Sequence, residues 1–194
     1  LRIVKKKIFK QKLLSFVAKI DDIDKAVNDF WEINQRKIKK FYMEMKMNTD
    51  IIIVGCGVAG LYCALNIPQD KRITIVTKNE APKSDSFLAQ GGICVLRNEE
   101  DYKSFFEDTM KAGHYENNPD SVEIMIRSSQ EIIGDLVSFG VRFEKDGEAF
   151  TYTREGAHSK PRILFHEDET GKEITSHLLE TARNRPNITL IENF

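Results

Sequence analysis

The fold to expect from this sequence follows from ten consecutive residues, Ile51-Ile52-Ile53-Val54-Gly55-Cys56-Gly57-Val58-Ala59-Gly60. The first four are aliphatic and β-branched, which is typical of a parallel strand buried on both faces. The next six have the spacing G-x-G-x-x-G. Glycines in that spacing are a weak signal alone, but here they directly follow a strand pattern and begin a helix pattern, and this context makes them informative.

The pattern around these ten residues is that of a β-α-β unit. Apolar residues keep helical spacing up to Pro68, and a second strand is predicted over 72–77. In such a unit Gly55 permits the tight turn, Gly57 lets a pyrophosphate approach the backbone, and Gly60 lets the helix pack on the strand. The N–H groups and the dipole at the start of the helix favour a diphosphate. The sequence therefore predicts a dinucleotide site, with a glycine-rich turn that binds nothing as the alternative.

The residue after the second strand distinguishes between dinucleotides. An acidic residue there would bind a ribose hydroxyl, but this chain has Lys78. A lysine fits a phosphorylated ribose or a different flavin-site arrangement, and the spacing does not decide between them.

The rest of the chain predicts an insertion followed by a third strand. The predicted elements are a loop over 78–98, helices over about 100–112 and 120–139, a hairpin of 141–143 with 149–152 about Asp146-Gly147, an irregular stretch over 154–170, a helix over about 172–184 and a strand over 188–191. This order, β-α-β-insertion-α-β, predicts an α/β fold: a Rossmann-like half of a doubly wound sheet with three parallel strands.

Charge divides the chain into two parts. Residues 1–49 carry 13 Lys/Arg and 6 Asp/Glu, a net charge of +7, whereas residues 50–194 have a net charge of −8. Apolar residues at alternating spacings of three and four predict a basic amphipathic helical extension over 1–47. It is either a plain amphipathic helix or an arm for a partner helix, an anionic lipid or nucleic acid. The second predicted unit is 48–194.

Composition excludes several protein classes. The 194 residues are 41% hydrophobic, yet no apolar run approaches the roughly 18 residues that span a bilayer, so no membrane partner is expected. The net charge of −1 argues against a dedicated nucleic-acid binder. Three cysteines without a C-x-x-C pair provide neither a disulfide framework nor a cysteine zinc site. We therefore expect no metal, and we expect the protein to lie in the reducing cytoplasm.

Two further motifs carry a resemblance to a known family. The first is Ser84-Asp85-Ser86-Phe87-Leu88-Ala89-Gln90-Gly91-Gly92-Ile93, preceded by Thr77-Lys78. It resembles the flavin-binding loop of the succinate dehydrogenase/fumarate reductase flavoprotein superfamily, and within it the A-Q-G-G-I of the L-aspartate oxidases. The second is Thr153-Arg154-Glu155-Gly156-Ala157-His158-Ser159 with Arg162-Ile163-Leu164 and Thr170-Gly171. It resembles the T-R-E-G-G-H-S…R-I-L and T-G of the same oxidases, with Ala157 in place of a glycine.

The resemblance implies a cofactor and a set of site residues. It implies FAD, bound non-covalently, because Asp85 occupies the position where covalent-flavin members carry a histidine. It makes Glu155 the catalytic residue that orients the substrate. The implied cofactor-binding residues are Gly55, Cys56, Gly57, Val58, Ala59, Gly60, Lys78, Asp85, Ser86, Phe87, Leu88, Ala89, Gln90, Gly91 and Gly92.

The resemblance also implies a reaction: FAD-dependent oxidation of L-aspartate to iminoaspartate, with oxygen or fumarate as electron acceptor, as the first step of NAD biosynthesis. Quinolinate synthase, the next enzyme, is then a candidate partner. Residues 48–194 would be the N-terminal part of an FAD-binding domain, incomplete and inactive alone. The alternatives are a fumarate reductase or succinate dehydrogenase flavoprotein fragment, or a non-catalytic dinucleotide-binding fragment.

Some residues of the second motif keep two interpretations. Arg154 and Arg162 either pair with a carboxylate substrate or bridge local acids. His158 and His166 are either ligands or proton carriers, although their spacing from acidic residues fits no metal site.

Overall fold

A computed structural model describes residues 32, 35, 36 and 49–194, in two units, Leu1–Thr49 and Asp50–Phe194. In the first unit Glu32, Gln35 and Arg36 are helical and exposed, and Arg36 Nη2 lies 3.5 Å from Glu32 Oε2. The rest of the basic extension predicted over 1–47 lies outside the described residues. No helix in the described part of the chain is both long and apolar enough to cross a bilayer.

The second unit contains seven strands and five helices, together with two short 3-10 turns at Ala81–Lys83 and Glu99–Asp101. In chain order they are β1 (Ile51–Val54), α1 (Val58–Asn66), β2 (Ile73–Val76), α2 (Asp85–Leu88), β3 (Ile93–Cys94), α3 (Tyr102–Ala112), α4 (Pro119–Ser138), β4 (Lys145–Asp146), β5 (Ala149–Phe150), β6 (Ile163–Leu164), α5 (Thr170–Arg183) and β7 (Ile188–Ile191).

Three parallel strands form the main sheet, in the order β1-β2-β7. Ile53 lies opposite Ile75, which lies opposite Leu190. The central strand β2 is buried along its whole length. Helices α1 and α5 pack on each other and cover one face of the sheet, where Leu61 and Leu178 are fully buried. The predicted α/β fold with three parallel strands is confirmed.

The close packing of α1 on β1 depends on Gly60. A Cβ atom on Gly60 would lie 2.1 Å from the carbonyl oxygen of Gly55 and 3.3 Å from Ile53 Cγ2. Backbone cannot move aside as the end of a flexible side chain can, so the helix would have to shift away from the strand. The role that the sequence predicted for this glycine, close helix–strand packing, has a direct steric reason.

We expect Gly60→Ala to lower the free energy of unfolding by about 1–3 kcal/mol, the usual cost of overpacking. Gly134→Ala is the matched control, because Gly134 lies inside α4, one turn before its end, and an added Cβ would meet nothing within 4 Å. There the same substitution should stabilise the chain by about 0.5–1 kcal/mol, since alanine favours the helix. Urea unfolding measures both; a Gly60→Ala chain as stable as the parent would contradict the packing argument.

The loop predicted over 78–98 is only partly irregular. It contains α2 and β3, and β3 pairs antiparallel with β6, with Ile93 opposite Leu164 and Cys94 opposite Ile163. The two-residue strands are too short to give a periodic signal, and their partners are distant in sequence.

The predicted hairpin exists, but its first strand was placed wrongly. The hairpin is formed by strands β4 and β5, which pair across the turn at Gly147. Val141 and Phe143, which were predicted to lie in its first strand, lie in no strand. Both side chains are buried in the core, which explains the alternating pattern. The Val141 N–H donates to the Leu136 carbonyl, so this segment is tied to the end of α4 rather than to a facing strand.

Candidate functional site

The turn after β1 has the shape of a diphosphate cradle. Gly55 has a φ of +107°, which favours glycine, and its N–H donates to Val76 at the end of β2 (2.8 Å). Gly57 is the N-cap of α1, and no side chain caps the helix there. A Cβ on Gly57 would lie 2.8 Å from Ser86 Oγ, so a side chain would fill the cradle. The uncapped N–H groups of the first turn suit an anion.

A cleft of about 320 Å³ lies at the carboxyl ends of β1 and β2. This is where ligands bind in open α/β sheets. Lys78 and Lys83 line it together with the acidic Glu80 and Asp85, and Lys83 Nζ lies 3.3 Å from Glu80 Oε2. The predicted site residues that line it are Gly55, Cys56, Gly57, Lys78, Asp85 and Ser86.

Cys56 contributes to this cleft only through its backbone. Its side chain is 1% exposed and belongs to the hydrophobic core. The thiol therefore faces away from any ligand, in agreement with a backbone role for this residue in the turn.

The loop over 85–92 is held from behind by α5. Ser84 Oγ caps α2 by accepting from the Phe87 N–H (3.3 Å), and the Gly171 N–H donates to the Ala89 carbonyl (3.0 Å). A Cβ on Gly171 would lie 2.2 Å from the Ser86 carbonyl oxygen, so the helix start touches the loop backbone. The opposite side of the loop is open: Leu88, Ala89, Gln90 and Gly91 are exposed.

The β3–β6 pair joins the two motifs that carried the resemblance. A Cβ on Gly92 would lie 2.3 Å from the carbonyl oxygen of Leu164, so Gly92 permits this pairing. One residue earlier in the loop, a Cβ on Gly91 would lie 3.8 Å from Glu155 Oε2. The carboxylate of Glu155 thus lies beside the 85–92 loop, although the two are far apart in sequence.

Arg162 is the buried centre of the second motif. Its side chain is 0% exposed. Nε and Nη2 donate to the two carboxylate oxygens of Asp101 in a bidentate ion pair (3.0 and 2.8 Å), and Nη1 donates to Asp108 Oδ2 (2.6 Å). The guanidinium also lies 4.9 Å from the Phe105 ring centroid. Of the two interpretations left open for Arg162, the structure shows the local one: it bridges two acids of the protein.

Arg162 also fixes the tautomer of His158. Its Nη1 lies 3.0 Å from His158 Nδ1, and because a guanidinium only donates, Nδ1 accepts. The ring proton is then on Nε2, 3.0 Å from Cys94 Sγ. Burial and the charge of Arg162 lower the pKa of His158, which keeps the ring neutral. Both ring nitrogens are engaged inside the protein, so proton transfer to a substrate is not supported.

Cys94, the other partner of this imidazole, is not a thiolate. Burial raises the pKa of its thiol, and the charge of Glu155 acts in the same direction against that of Arg162. Within the described part of the chain, no group of three or more His, Cys, Asp or Glu side chains could hold a metal.

The buried acids make the fold sensitive to low pH. Hydrogen bonds from Arg162 lower the pKa of Asp101; those from Ser159 and Arg162 outweigh burial and lower the pKa of Asp108. Their stabilisation is complete above the ordinary value of 3.8 and is lost as the pH falls through the lower folded values. We expect urea midpoints to fall steeply below about pH 4.

The exposed Asp50 also contributes to the loss of stability at low pH, because its contact with Arg72 lowers its pKa to about 2. Asp50→Asn is therefore the background for the measurement. In that background Asp108→Ala should make the urea midpoint depend less on pH below about pH 4. An unchanged dependence would show that the Asp108 carboxylate contributes nothing to the acid sensitivity of the fold.

Comparison with known proteins identifies the family. The family model described as "FAD binding domain" matches residues 50–194. The chain belongs to the FAD-binding domain family. The prediction of FAD as the cofactor is thereby confirmed. The glycine cradle, the uncapped helix start and the lysines of the cleft fit the diphosphate of this cofactor.

The relatives of this FAD-binding domain include L-aspartate oxidases, as the sequence resemblance indicated. The enzyme of Clostridium perfringens is 48% identical over 149 residues, covering 77% of this chain and 34% of that protein. The enzyme of a Nostoc species is 38% identical over 151 residues, covering 77% and 26%. The chain thus spans about a third or less of the length of these relatives.

Solved structures show the same fold. A variant of the Escherichia coli quinol fumarate reductase superposes with a TM-score of 0.71 at 23% identity, covering 75% of this chain and 26% of that chain. The open conformation of a flavocytochrome c3 fumarate reductase has a TM-score of 0.68 at 23% identity, covering 82% and 29%. The chain therefore shares the fold of these two fumarate reductase chains over the region compared.

The sequence did not indicate Asp101 and Asp108 as part of the site. Each lies in a charged helical stretch and resembles an ordinary solvated acid. Asp101 is only 4% exposed and Asp108 is half-buried, and both face Arg162 in space. Knowing that Arg162 is buried would have indicated that acids lie near it, because a buried charge needs a partner. The sequence alone does not show that burial.

Proposed function

We propose that this chain supplies the FAD-binding surface and part of the substrate-binding surface of an L-aspartate oxidase, which converts L-aspartate to iminoaspartate with oxygen or fumarate as acceptor. The observation that carries the proposal is the position of the Glu155 carboxylate beside Gly91 of the loop over 85–92. An amino acid substrate needs an anionic partner for its ammonium group, and this carboxylate lies next to the loop assigned to the flavin.

The residues of the chain have separate tasks in this proposal. The start of α1 and Lys78 hold the diphosphate, and the loop over 85–92 lies along the flavin with Asp85 unable to form the histidyl link of covalent members. Glu155 holds the substrate ammonium group and so orients the Cα–H bond. FAD supplies the hydride acceptor. Binding and orientation by the protein then lower the barrier, because they hold the reacting atoms close together.

The second candidate function is that of a fumarate reductase or succinate dehydrogenase flavoprotein, which the fold alone would suit. Glu155 separates the two. Succinate carries two carboxylates and no ammonium group, so as the compound to be oxidised it would be repelled by an exposed carboxylate beside it. The same carboxylate would attract the nitrogen of aspartate.

The product of the complete reading frame, loaded with FAD, tests the proposal. We expect peroxide formation in air that depends on L-aspartate, and none with succinate. The 194-residue chain alone should bind no substrate productively, because it spans about a third of the related oxidases. Oxidation of succinate in preference to aspartate would overturn the proposal.

Acid precipitation of the holoenzyme tests the cofactor link. With Asp85 at the linking position, the yellow chromophore should appear in the supernatant as intact FAD. Asp85→His offers the contrasting variant, since it supplies the nucleophilic side chain that covalent members have. Flavin that stays with the precipitated parent protein would refute non-covalent binding.

The place of the enzyme follows from its chemistry. Iminoaspartate hydrolyses readily, so we propose that the enzyme that consumes it, quinolinate synthase, receives it directly in the cytoplasm. The three free cysteines of the chain suit a reducing compartment. A pull-down from cytoplasmic extract with and without L-aspartate measures this contact.

A further inference from the structure

The loop that carries Glu155 is closed at its base by two hydrogen bonds. Thr153 donates to the Ile163 carbonyl (2.9 Å) and Ile163 donates to the Thr153 carbonyl (3.1 Å). At the tip, the His158 N–H donates to the Glu155 carbonyl (3.3 Å), and Gly156 has a φ of +56°. The tip is thus a tight turn at the end of a loop anchored to β6.

The Glu155 side chain does not hold its own position. It is exposed, and it makes no hydrogen bond or ion pair with any other residue in the described part of the chain. Its location beside Gly91 must therefore come from the backbone of the loop. Whatever fixes that backbone sets the region that the carboxylate can reach.

Asp108 ties this backbone to α3, and Arg97 makes a longer contact with it at the Pro161 carbonyl (3.4 Å). Its Oδ2 accepts from the Ser159 N–H (2.8 Å), the Ser159 hydroxyl (2.7 Å) and Arg162 Nη1 (2.6 Å). Arg162 is itself held by Asp101 and contacts His158, the last residue of the turn. One carboxylate oxygen on α3 therefore accepts from two residues, Ser159 and Arg162, of the segment that follows Glu155.

We propose that Asp108 is a positioning residue that holds the Glu155 carboxylate beside the flavin loop. The inference rests on the proposed function, because it assigns a use to that position. Asp108 itself touches no reacting atom; it acts through Ser159 and Arg162. Its loss should weaken aspartate use and leave FAD binding intact, since the diphosphate cradle is made by other elements.

The first test compares variants of the FAD-loaded product of the complete reading frame. Asp108→Ala should raise the KM for L-aspartate at least tenfold, with the FAD dissociation constant changed less than twofold. Asp108→Asn keeps one acceptor oxygen and should restore most of the affinity. Glu107→Ala is the matched control, because Glu107 lies next in α3 and its carboxylate contacts the Tyr115 hydroxyl instead; its KM should equal that of the parent.

A double-mutant cycle separates positioning from general damage. If Asp108 acts through Glu155, adding Asp108→Ala to Glu155→Gln should change the KM less than twofold, since the carboxylate to be positioned is already gone. Additive effects would overturn the proposal. If Asp108→Ala fails to fold, the cycle is measured with Asp108→Asn, whose smaller effect must also vanish in the Glu155→Gln background.

Amide hydrogen exchange of the 194-residue chain tests the role of Asp108 without an enzyme assay. The Ser159 amide should exchange at least tenfold faster in Asp108→Ala, while amides of β2 keep their protection. Unchanged Ser159 exchange would refute the positioning role even if aspartate is the substrate. If the parent enzyme does not oxidise aspartate but Ser159 loses protection, the proposed function fails and the loop anchor stands.

Discussion

Replacing Arg162 by methionine is expected to lower the free energy of unfolding by about 3–5 kcal/mol, the cost of leaving buried charges without their partner. Methionine fills a similar volume, so the loss is electrostatic rather than a cavity effect. Asp101, whose side chain is 5% exposed, and Asp108 would lose their buried cation, and only the half-exposed Lys160, with Nζ 3.8 Å from Asp101 Oδ1, would be left near them. Urea unfolding of the 194-residue chain at neutral pH measures the loss.

Arg127→Met is the matched control for this prediction. Arg127 also pairs with a carboxylate, Glu99 Oε2 at 2.7 Å, and also lies over an aromatic ring, Tyr102 at 3.9 Å. Its side chain is 42% exposed, however, and water replaces what the substitution removes. We expect a loss of at most about 1 kcal/mol there. Equal losses for the two arginines would show that burial adds nothing to the Arg162 contacts.

Replacing Glu155 by glutamine is expected to raise the KM for L-aspartate roughly 10- to 100-fold, as one hydrogen bond to a charged group is worth about 1.5–3 kcal/mol. Glutamine keeps the size and one acceptor oxygen but loses the charge that attracts an ammonium group. The FAD dissociation constant should change less than twofold. Steady-state kinetics and flavin titration of the complete enzyme measure the two quantities separately.

Glu148→Gln provides the control for the Glu155 substitution. Glu148 is an exposed glutamate in the turn between β4 and β5, so the change of charge is the same at a place away from the loop over 85–92. Its KM should equal that of the parent. The substrate assignment would fail if Glu155→Gln weakened FAD binding as much as aspartate use.

The β-α-β unit could be predicted because its signals are local. The strand, the glycine spacing and the amphipathic helix follow one another within 51–77, and each element is determined by its own residues. The pairing of β3 with β6 could not be predicted, since two residues give no period and the partner lies beyond two helices. The segment around Val141 was misplaced because alternation reports burial, and burial in the core does not require a strand.

The candidate site divides in the same way. Motif resemblance marked the loop over 85–92 and Glu155, and the structure brings Gly91 and Glu155 together. It could not mark Asp108, because an acid in a charged helix has no sequence signal for burial. The two interpretations of Arg162 were equivalent in sequence and differ only in which carboxylate the guanidinium meets in space.

The contact between α5 and the 85–92 loop has a consequence for how the protein is made. The Gly171 amide that holds Ala89 is synthesised long after the cradle at Gly55, and β7 follows later still. A nascent chain therefore presents the glycine turn before the support of its neighbouring loop exists. Contacts between such distant segments form slowly, because the entropy of the long intervening loop is lost before the contact stabilises the chain. The support that α5 gives to the 85–92 loop is therefore absent until most of this unit has been translated.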